Sequence, residues 1–484
     1  LHPSRAGAAV VMRTLIPTLL AAALSACAVG PNYRAPVPAP AVLPSASAAG
    51  ITRETPATLW WTRFDDPVLA GLIAEALVAN PDLRVGIARV NQARAVFGES
   101  RLDQLPHVTL GAADARGTRP RAEAGGARES GESASAGFDA SWELDLFGRK
   151  RRATEAARAD VQAGEAELAD LQVSLAAEMA RDYFALRRAQ RGLDIARQTL
   201  ANADRSQRTI EARRQLGAAT AQEEQSGRAY LHSVEAAVPE REIDEAQARH
   251  RIEMLAGHRP GELDALLAPA PAVPLLEALP VGDVAEVLRQ RPDVRAAERR
   301  LAAATARIGV AEADLFPRIS LSGFIGFVAS DVGGLLDADH KAWSTTPSLS
   351  WSALDLGSAH ARLRGARAAE DAVLAGYEKT VLAALEETEN ALHAYDRRRQ
   401  RLLQVAAQAD AARRSADLAG VRYREGAADV LTLLEAQRGR LAADDALAAA
   451  QYDVNAGVVA VYKALGGWNG AGARREDGEG MAAR

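Results

Sequence analysis

Phe138-Asp139-Ala140-Ser141-Trp142-Glu143-Leu144-Asp145-Leu146-Phe147-Gly148 is the stretch that decides the fold. Phe138, Ala140, Trp142, Leu144 and Leu146 alternate with Asp139, Ser141, Glu143 and Asp145, the period-two pattern of a strand with one apolar and one polar face. Gly148 ends the alternation, and no proline follows until Pro239, so the strand hands over to a very long helical run. The same handover returns 209 positions later as Trp351-Ser352-Ala353-Leu354-Asp355-Leu356-Gly357. Working outward, Asn80-Pro81-Asp82-Leu83-Arg84 returns as Arg291-Pro292-Asp293-Val294-Arg295, and Leu105-Pro106-His107-Val108-Thr109-Leu110 as Phe316-Pro317-Arg318-Ile319-Ser320-Leu321, both offset by 211. Arg213-x-x-x-Gly217-Ala218-Ala219-Thr220 returns as Arg422-x-x-x-Gly426-Ala427-Ala428-Asp429. Four matches in one order at nearly one offset mean one structural motif used twice, not a solenoid of short units.

Each half therefore predicts two strands and two long helices. Strands are expected at about 105–116 and 137–147, and again at about 316–328 and 347–356. Residues 116–136, rich in Gly, Arg, Glu and Ser without apolar periodicity, read as a mobile loop. Helices are expected at about 149–216 and 219–256, then 358–425 and 429–465. Met179, Leu186, Leu193 and Leu200 step by seven, as do Leu385 and Leu392, a coiled-coil spacing. A helix from about 150 to 215 reaches close to 100 Å at roughly 1.5 Å per residue. Each outgoing helix ends in a glycine tip, Gly217 or Gly426, and restarts at an N-cap former, Thr220 or Asp429. Thr220 and Glu223 fit a capping box. Pro239 is expected to kink or break the first return helix. The halves span 59–256 and 284–467, joined by a proline-rich linker at 257–283 and followed by a disordered tail at 468–484.

The first 26 residues read as a targeting segment, with Arg13 before an apolar run from Leu15 to Leu24. Leu24-Ser25-Ala26-Cys27 resembles a bacterial lipobox, which implies cleavage before Cys27 and acylation there. Cys27 is the only cysteine, so no intrachain disulfide forms. Residues 27–58 read as an extended Pro/Ala/Ser linker. A net charge of −5 gives no global basic field for nucleic acid. No phosphate loop, zinc-protease helix, cysteine pair or nucleophile elbow occurs, and the eight histidines are scattered, so neither a catalytic nor a metal site is expected.

Four amphipathic strands cannot close on themselves, and raw strand edges need partners. In lipid every edge must close, so strands that meet lipid imply several copies building one barrel. A soluble sandwich or a scaffold coiled coil would each explain only one of the two element types.

Further motifs stand in order along residues 24–468: Gly30-Pro31-Asn32-Tyr33, Trp60-Trp61-x-x-Phe64-x-Asp66, Ala313-x-Leu315-Phe316-Pro317, Leu433-Leu434-Glu435-Ala436-Gln437-Arg438 and Tyr462-Lys463-Ala464-Leu465-Gly466-Gly467. With the lipobox and the repeated motifs, the chain resembles the TolC-like outer-membrane factors, in their NodT-type efflux lipoprotein branch. The resemblance implies a mostly α fold with membrane β, in which a homotrimer makes a twelve-stranded outer-membrane barrel above a helical periplasmic tunnel. It implies a lipid-anchored outer-membrane protein of a Gram-negative bacterium, with N-acyl and S-diacylglycerol groups on Cys27 and no other cofactor. It also implies a periplasmic adaptor and an inner-membrane pump of the resistance-nodulation-division type as partners. The closed entrance of the family maps onto Asp429, Leu431, Glu435 and Arg438. Leu431, Glu435 and Arg438 share a helix face, Arg438 is the nearest candidate ion-pair partner of Glu435 in sequence, and Asp429 also reads simply as an N-cap. Two competing readings are a duct for type I protein secretion and a lipid-anchored periplasmic coiled-coil adaptor.

Overall fold

A computed structural model describes residues 28–36, 43–48, 50–54, 59–120, 128–271, 274–276, 278–283 and 289–467. Cys27, the leader at 1–26 and the tail from 468 lie outside the described residues. The helices are α1 Pro67–Ala79, α2 Pro81–Leu102, α3 Arg149–Gln215, α4 Ala221–Ala256, α5 Pro292–Ala313, α6 Leu356–Arg424 and α7 Val430–Ala464. The strands are β1 Ile51–Thr52, β2 His107–Pro120, β3 Arg128–Leu144, β4 Leu279–Pro280, β5 Arg318–Ala329 and β6 Lys341–Ser350. The chain divides into two compact units, one of Leu1–Val37, Arg89–Gly164 and Ala296–Glu378, the other of Pro38–Ala88, Glu165–Arg295 and Lys379–Arg484.

The first unit holds an antiparallel sheet in the order β2-β3-β5-β6. Here the structure departs from the expected strands. Residues 116–120 and 128–136 are not loop: β2 runs to Pro120 and β3 starts at Arg128, paired residue by residue. The ladder is built from backbone groups, so a polar strand without apolar alternation still pairs. The last strand starts at Lys341 instead of Pro347 and stops at Ser350, leaving Trp351 outside it. Pro347 sits inside β6, opposite Leu321, because an edge strand of the protomer tolerates proline. Phe147 also lies beyond its strand, which ends at Leu144; its ring stacks on Phe316 at 4.6 Å.

The repeat is visible in the hydrogen bonds. Trp142 Nε1 donates to the Gln104 carbonyl at 2.9 Å, and its counterpart Trp351 Nε1 donates to the Leu315 carbonyl at 3.0 Å. In the same unit, the segment after Cys27 is strapped down. Arg152, 4% exposed, donates to the Val29 carbonyl and the Asn32 side chain at 3.1 and 2.9 Å. The Tyr33 hydroxyl donates to Glu298.

The second unit packs its core around Trp60, Phe64, Tyr183, Tyr395 and Tyr462. Trp60 stacks on Tyr462 at 5.2 Å, and Phe64 meets Phe184 edge-on at 4.9 Å. Asp66 caps α1 by accepting from the Val68 and Leu69 amides, so the Trp-Trp-Phe-Asp motif is a core anchor followed by a helix start. Equivalent residues again do equivalent work. Asn80 Nδ2 donates to the Leu255 carbonyl at 2.9 Å, at the end of α4. Arg291 Nη1 donates to the Ala464 carbonyl, at the end of α7. Each half thus ties the start of its first long helix to the end of its last. Pro239 does not break α4, which continues through it. The helix is held by burial on both sides of the proline, at Tyr230 and Val234 before it and at Ile252, Leu255 and Ala256 after it, which outweighs the one backbone bond the proline lacks.

Candidate functional site

The sheet register puts every apolar row on one side. Val108 faces Ala140, Leu110 faces Phe138, and Ala112 faces Ala136. Trp142 faces Leu321, Leu144 faces Ile319, and Phe138 faces Ile325. Ile319 faces Leu349, and Ile325 faces Trp343. Directly opposed residues share a face, so one apolar surface crosses all four strands. It is bare in the protomer: Leu110 is 73% exposed and Trp343 78%. The other surface carries His107, Thr109, Asp139, Ser141, Glu143, Ser320, Ser322, Ser344, Thr346 and Ser348 in register. The Ser320 and Ser348 hydroxyls bond at 2.7 Å, and Glu143 pairs with Arg149.

The apolar band has a measurable height. From Ile319 to Phe327 β5 climbs about 27 Å at roughly 3.4 Å per residue. At a tilt of about 40° that is about 20 Å, near the roughly 25 Å apolar belt of an outer-membrane barrel. The band stops at the row where Ala112, Ala136, Phe327 and Lys341 align. On the same face beyond it, Arg116 reaches Asp114 and Glu132 at 3.4 and 3.8 Å. Among the described residues no helix is long and apolar enough to cross a membrane, and no cluster of His, Cys, Asp or Glu is placed to hold a metal ion.

The second region is the pair of helix tips. Gly217 and Gly426 adopt φ of +73° and +76°, the left-handed conformation that closes a helix end and suits glycine. Ala218 N–H donates to the Arg213 carbonyl and Ala427 N–H to the Arg422 carbonyl, each at 2.8 Å, so the two ends carry the same Schellman turn. Each return helix is then capped, Thr220 with Glu223 in a reciprocal box and Asp429 on the Thr432 amide at 2.7 Å. The bonds from Thr432 hold the Asp429 carboxyl below the usual carboxylate range.

Of the four expected entrance residues, Asp429 is a cap, while Leu431, Glu435 and Arg438 line the exposed face of α7. The opposite face of that helix is buried: Val430, Leu433 and Leu434 pack with Ile210, Tyr230, Val234 and Tyr423. One expectation fails. Arg438 does not pair with Glu435; its guanidinium sits 5.2 Å from the centroid of the Tyr230 ring, on the first hairpin. Arg213 makes the reverse crossing, donating to the Tyr423 carbonyl at 2.6 Å and lying 4.8 Å from that ring. Two arginines thus cross between hairpins in opposite directions. Burial pushes both tyrosine hydroxyls up in pKa, partly offset by the arginines beside them. Reading the sequence for charge at i and i+3 missed this. Arg213 and Tyr423 stand four and three residues before the tip glycines, and that placement was the available signal.

Known proteins fall in line with this geometry. The family described as outer membrane efflux protein matches residues 72–258 and 284–467, one match per half. The chain is 33% identical to outer membrane protein OprJ of Pseudomonas aeruginosa, covering 93% of this chain and 94% of OprJ. It is 31% identical to nodulation protein T of Rhizobium leguminosarum bv. trifolii, covering 86% and 89%. The solved outer-membrane channel OprN superposes with a TM-score of 0.87 at 45% identity, covering 91% of this chain and 99% of OprN. With a sheet that is apolar outside and polar inside, hairpins ending in twin capped tips, and both halves matched, the chain belongs to the outer membrane efflux protein family and has the fold of its TolC-like channels.

Proposed function

We propose that three copies of this chain close a twelve-stranded barrel across the outer membrane and continue it into the periplasm as the passive exit duct of a tripartite efflux pump. The sheet carries this reading. It offers hydrocarbon an apolar face, water a polar one, and leaves β2 and β6 as free edges of the described sheet. Edges in lipid must close, and four strands are half of the smallest outer-membrane barrels; three protomers supply twelve. The duct needs no catalytic group. Its partners are a periplasmic adaptor and an inner-membrane pump of the resistance-nodulation-division type. Its N-acyl and S-diacylglycerol anchor is on Cys27, next to the strapped segment that starts at Ala28.

The periplasmic entrance is the ring of tips. Leu431 supplies its apolar constriction and Glu435 its charge, while the Arg213–Tyr423 and Arg438–Tyr230 crossings hold each protomer's two hairpins together in the closed state. The test is native mass spectrometry of detergent-purified protein with planar-bilayer recording. A trimer whose mature N-terminus is acylated Cys27, and which conducts ions, is expected. A monomer that inserts no channel would refute the duct. An unmodified N-terminal Cys27, or cleavage elsewhere, would end the lipid assignment.

A further inference from the structure

The water-facing side of the sheet is interrupted at one level. Gly111, Gly137, Gly326 and Ala342 align in a single row across all four strands, so that row presents almost bare backbone. A Cβ on Gly137 would fall 2.7 Å from the edge of the Phe324 ring, and one on Gly326 would fall 2.9 Å from it. Phe324 therefore lies across the glycine pair. In the adjacent row Phe324 stands directly opposite Asp139, which puts their Cβ atoms about 5 Å apart. A Cβ on Gly111 would fall 3.6 Å from the Asp139 carboxylate, so the acid leans over the same bare row. Beside them opens a cavity of about 250 Å³ lined also by His107, Thr109, Ser322 and Ser344. Among the described strand residues Phe324 is the one phenyl ring on this face, which otherwise carries small, hydroxyl and charged side chains together with the His107 imidazole and Val328.

We infer that Phe324 and Asp139 form a transit subsite for organic cations with an aromatic surface, three copies at one level of the barrel. The inference rests on the duct reading above. A phenyl face attracts a cation, by about 0.5–1 kcal/mol at an exposed site and more when water is excluded. The carboxylate supplies the complementary charge, and the side-chain-free row gives a flat solute room to lie against the wall. A phenylalanine that only covered two glycines would be replaceable by any apolar side chain of similar bulk, without change in what the lumen binds.

Tetraphenylphosphonium tests this as a blocker of potassium chloride current through single trimers, with tetramethylammonium as the non-aromatic control. Phe324→Leu keeps bulk over the glycines and removes the ring. It should raise the half-blocking concentration of tetraphenylphosphonium about tenfold, through ring–ring and cation–ring contact together, and that of tetramethylammonium, which has only the charge, by about two- to fivefold. Asp139→Asn should weaken block by both cations and flatten its salt dependence. Equal tetraphenylphosphonium block in wild type and Phe324→Leu overturns the inference, as does an equal loss for both cations in Phe324→Leu. Should the wild-type protein conduct no ions, the duct reading fails by itself. Equilibrium dialysis of tetraphenylphosphonium against the detergent-solubilised protein then decides the subsite. Binding that Phe324→Leu weakens about tenfold sustains it, and undiminished binding overturns it.

Discussion

Arg438→Ala removes the second of the two crossings between hairpins, and its effect can be worked from the geometry. The guanidinium lies 5.2 Å from the Tyr230 centroid and the side chain is exposed. A cation–π contact there contributes about 0.5–1 kcal/mol. If a splayed tip breaks the contact in all three protomers, the closed state loses roughly 1.5–3 kcal/mol, which multiplies the open-to-closed ratio by about 10 to 150. Single-channel recording should show a higher open fraction, and cells should leak large antibiotics, with trimer yield unchanged. Arg213→Ala should act in the same direction and more strongly, because it also loses a charged hydrogen bond to the Tyr423 carbonyl. Glu435→Gln is the discriminating control. If Arg438 worked by neutralising Glu435, the glutamine variant would reproduce the Arg438→Ala opening. The geometry predicts instead that Glu435→Gln relieves repulsion between copies and does not open the tip. Unchanged conductance in Arg438→Ala, with opening in Glu435→Gln, would falsify the cross-hairpin brace.

Three further outcomes follow from the packing. Leu321→Arg, in the middle of the outward apolar face, should destabilise the inserted trimer by about 2–4 kcal/mol at mid-bilayer depth. Ser320→Arg, one residue away on the polar face, should stay within about 1 kcal/mol; equal damage in a bilayer-unfolding titration would show that this sheet is not a barrel wall. Arg291→Ala should cost about 1–3 kcal/mol, since it leaves the buried Ala464 carbonyl without its guanidinium donor, while the carboxylates of Asp293 and Glu387, 30% and 43% exposed, turn to water. Its repeat counterpart Asn80→Ala strips the Leu255 carbonyl in the same way and should also cost about 1–3 kcal/mol; losses under about 0.5 kcal/mol in thermal melts of both variants would mean that neither tie holds its helix end. His258 contacts Glu75 and Glu262 at 2.7 and 3.0 Å, and these bonds raise its pKa in the folded state. The stabilisation is therefore fully present below the unfolded value of about 6.5 and is lost as pH rises through the raised folded value. The melting difference between wild type and His258→Gln should be largest at about pH 6 and shrink on the alkaline side; growth with pH would refute the pairing.

How much of this was written in the sequence follows from the range of the forces involved. Period-two and period-seven patterns, tip glycines and N-caps act within a few residues, so the strands around Trp142 and Leu321, the long helices, and the turns at Gly217 and Gly426 could be read directly. The offset repeat fixed the pairing of roles between Trp142 and Trp351. The polar ends of β2 and β3 could not be read, because backbone pairing leaves no apolar signature where both faces meet water. Pro347 and Pro239 misled for a related reason: what a proline costs is weighed against distant structure, since on an edge strand its missing N–H has no ladder partner to lose, and inside α4 the bond lost to the preceding turn is outweighed by packing on either side of it. The register that aligns Gly137 with Gly326 and sets Phe324 opposite Asp139 joins residues almost two hundred positions apart. The arginine crossings likewise depend on which hairpin lies beside which. Local propensity determined the elements and their faces. Only the tertiary structure decided the partners of Arg213, Arg438 and Phe324, because an exposed charge or ring takes whatever long-range packing brings within about 5 Å.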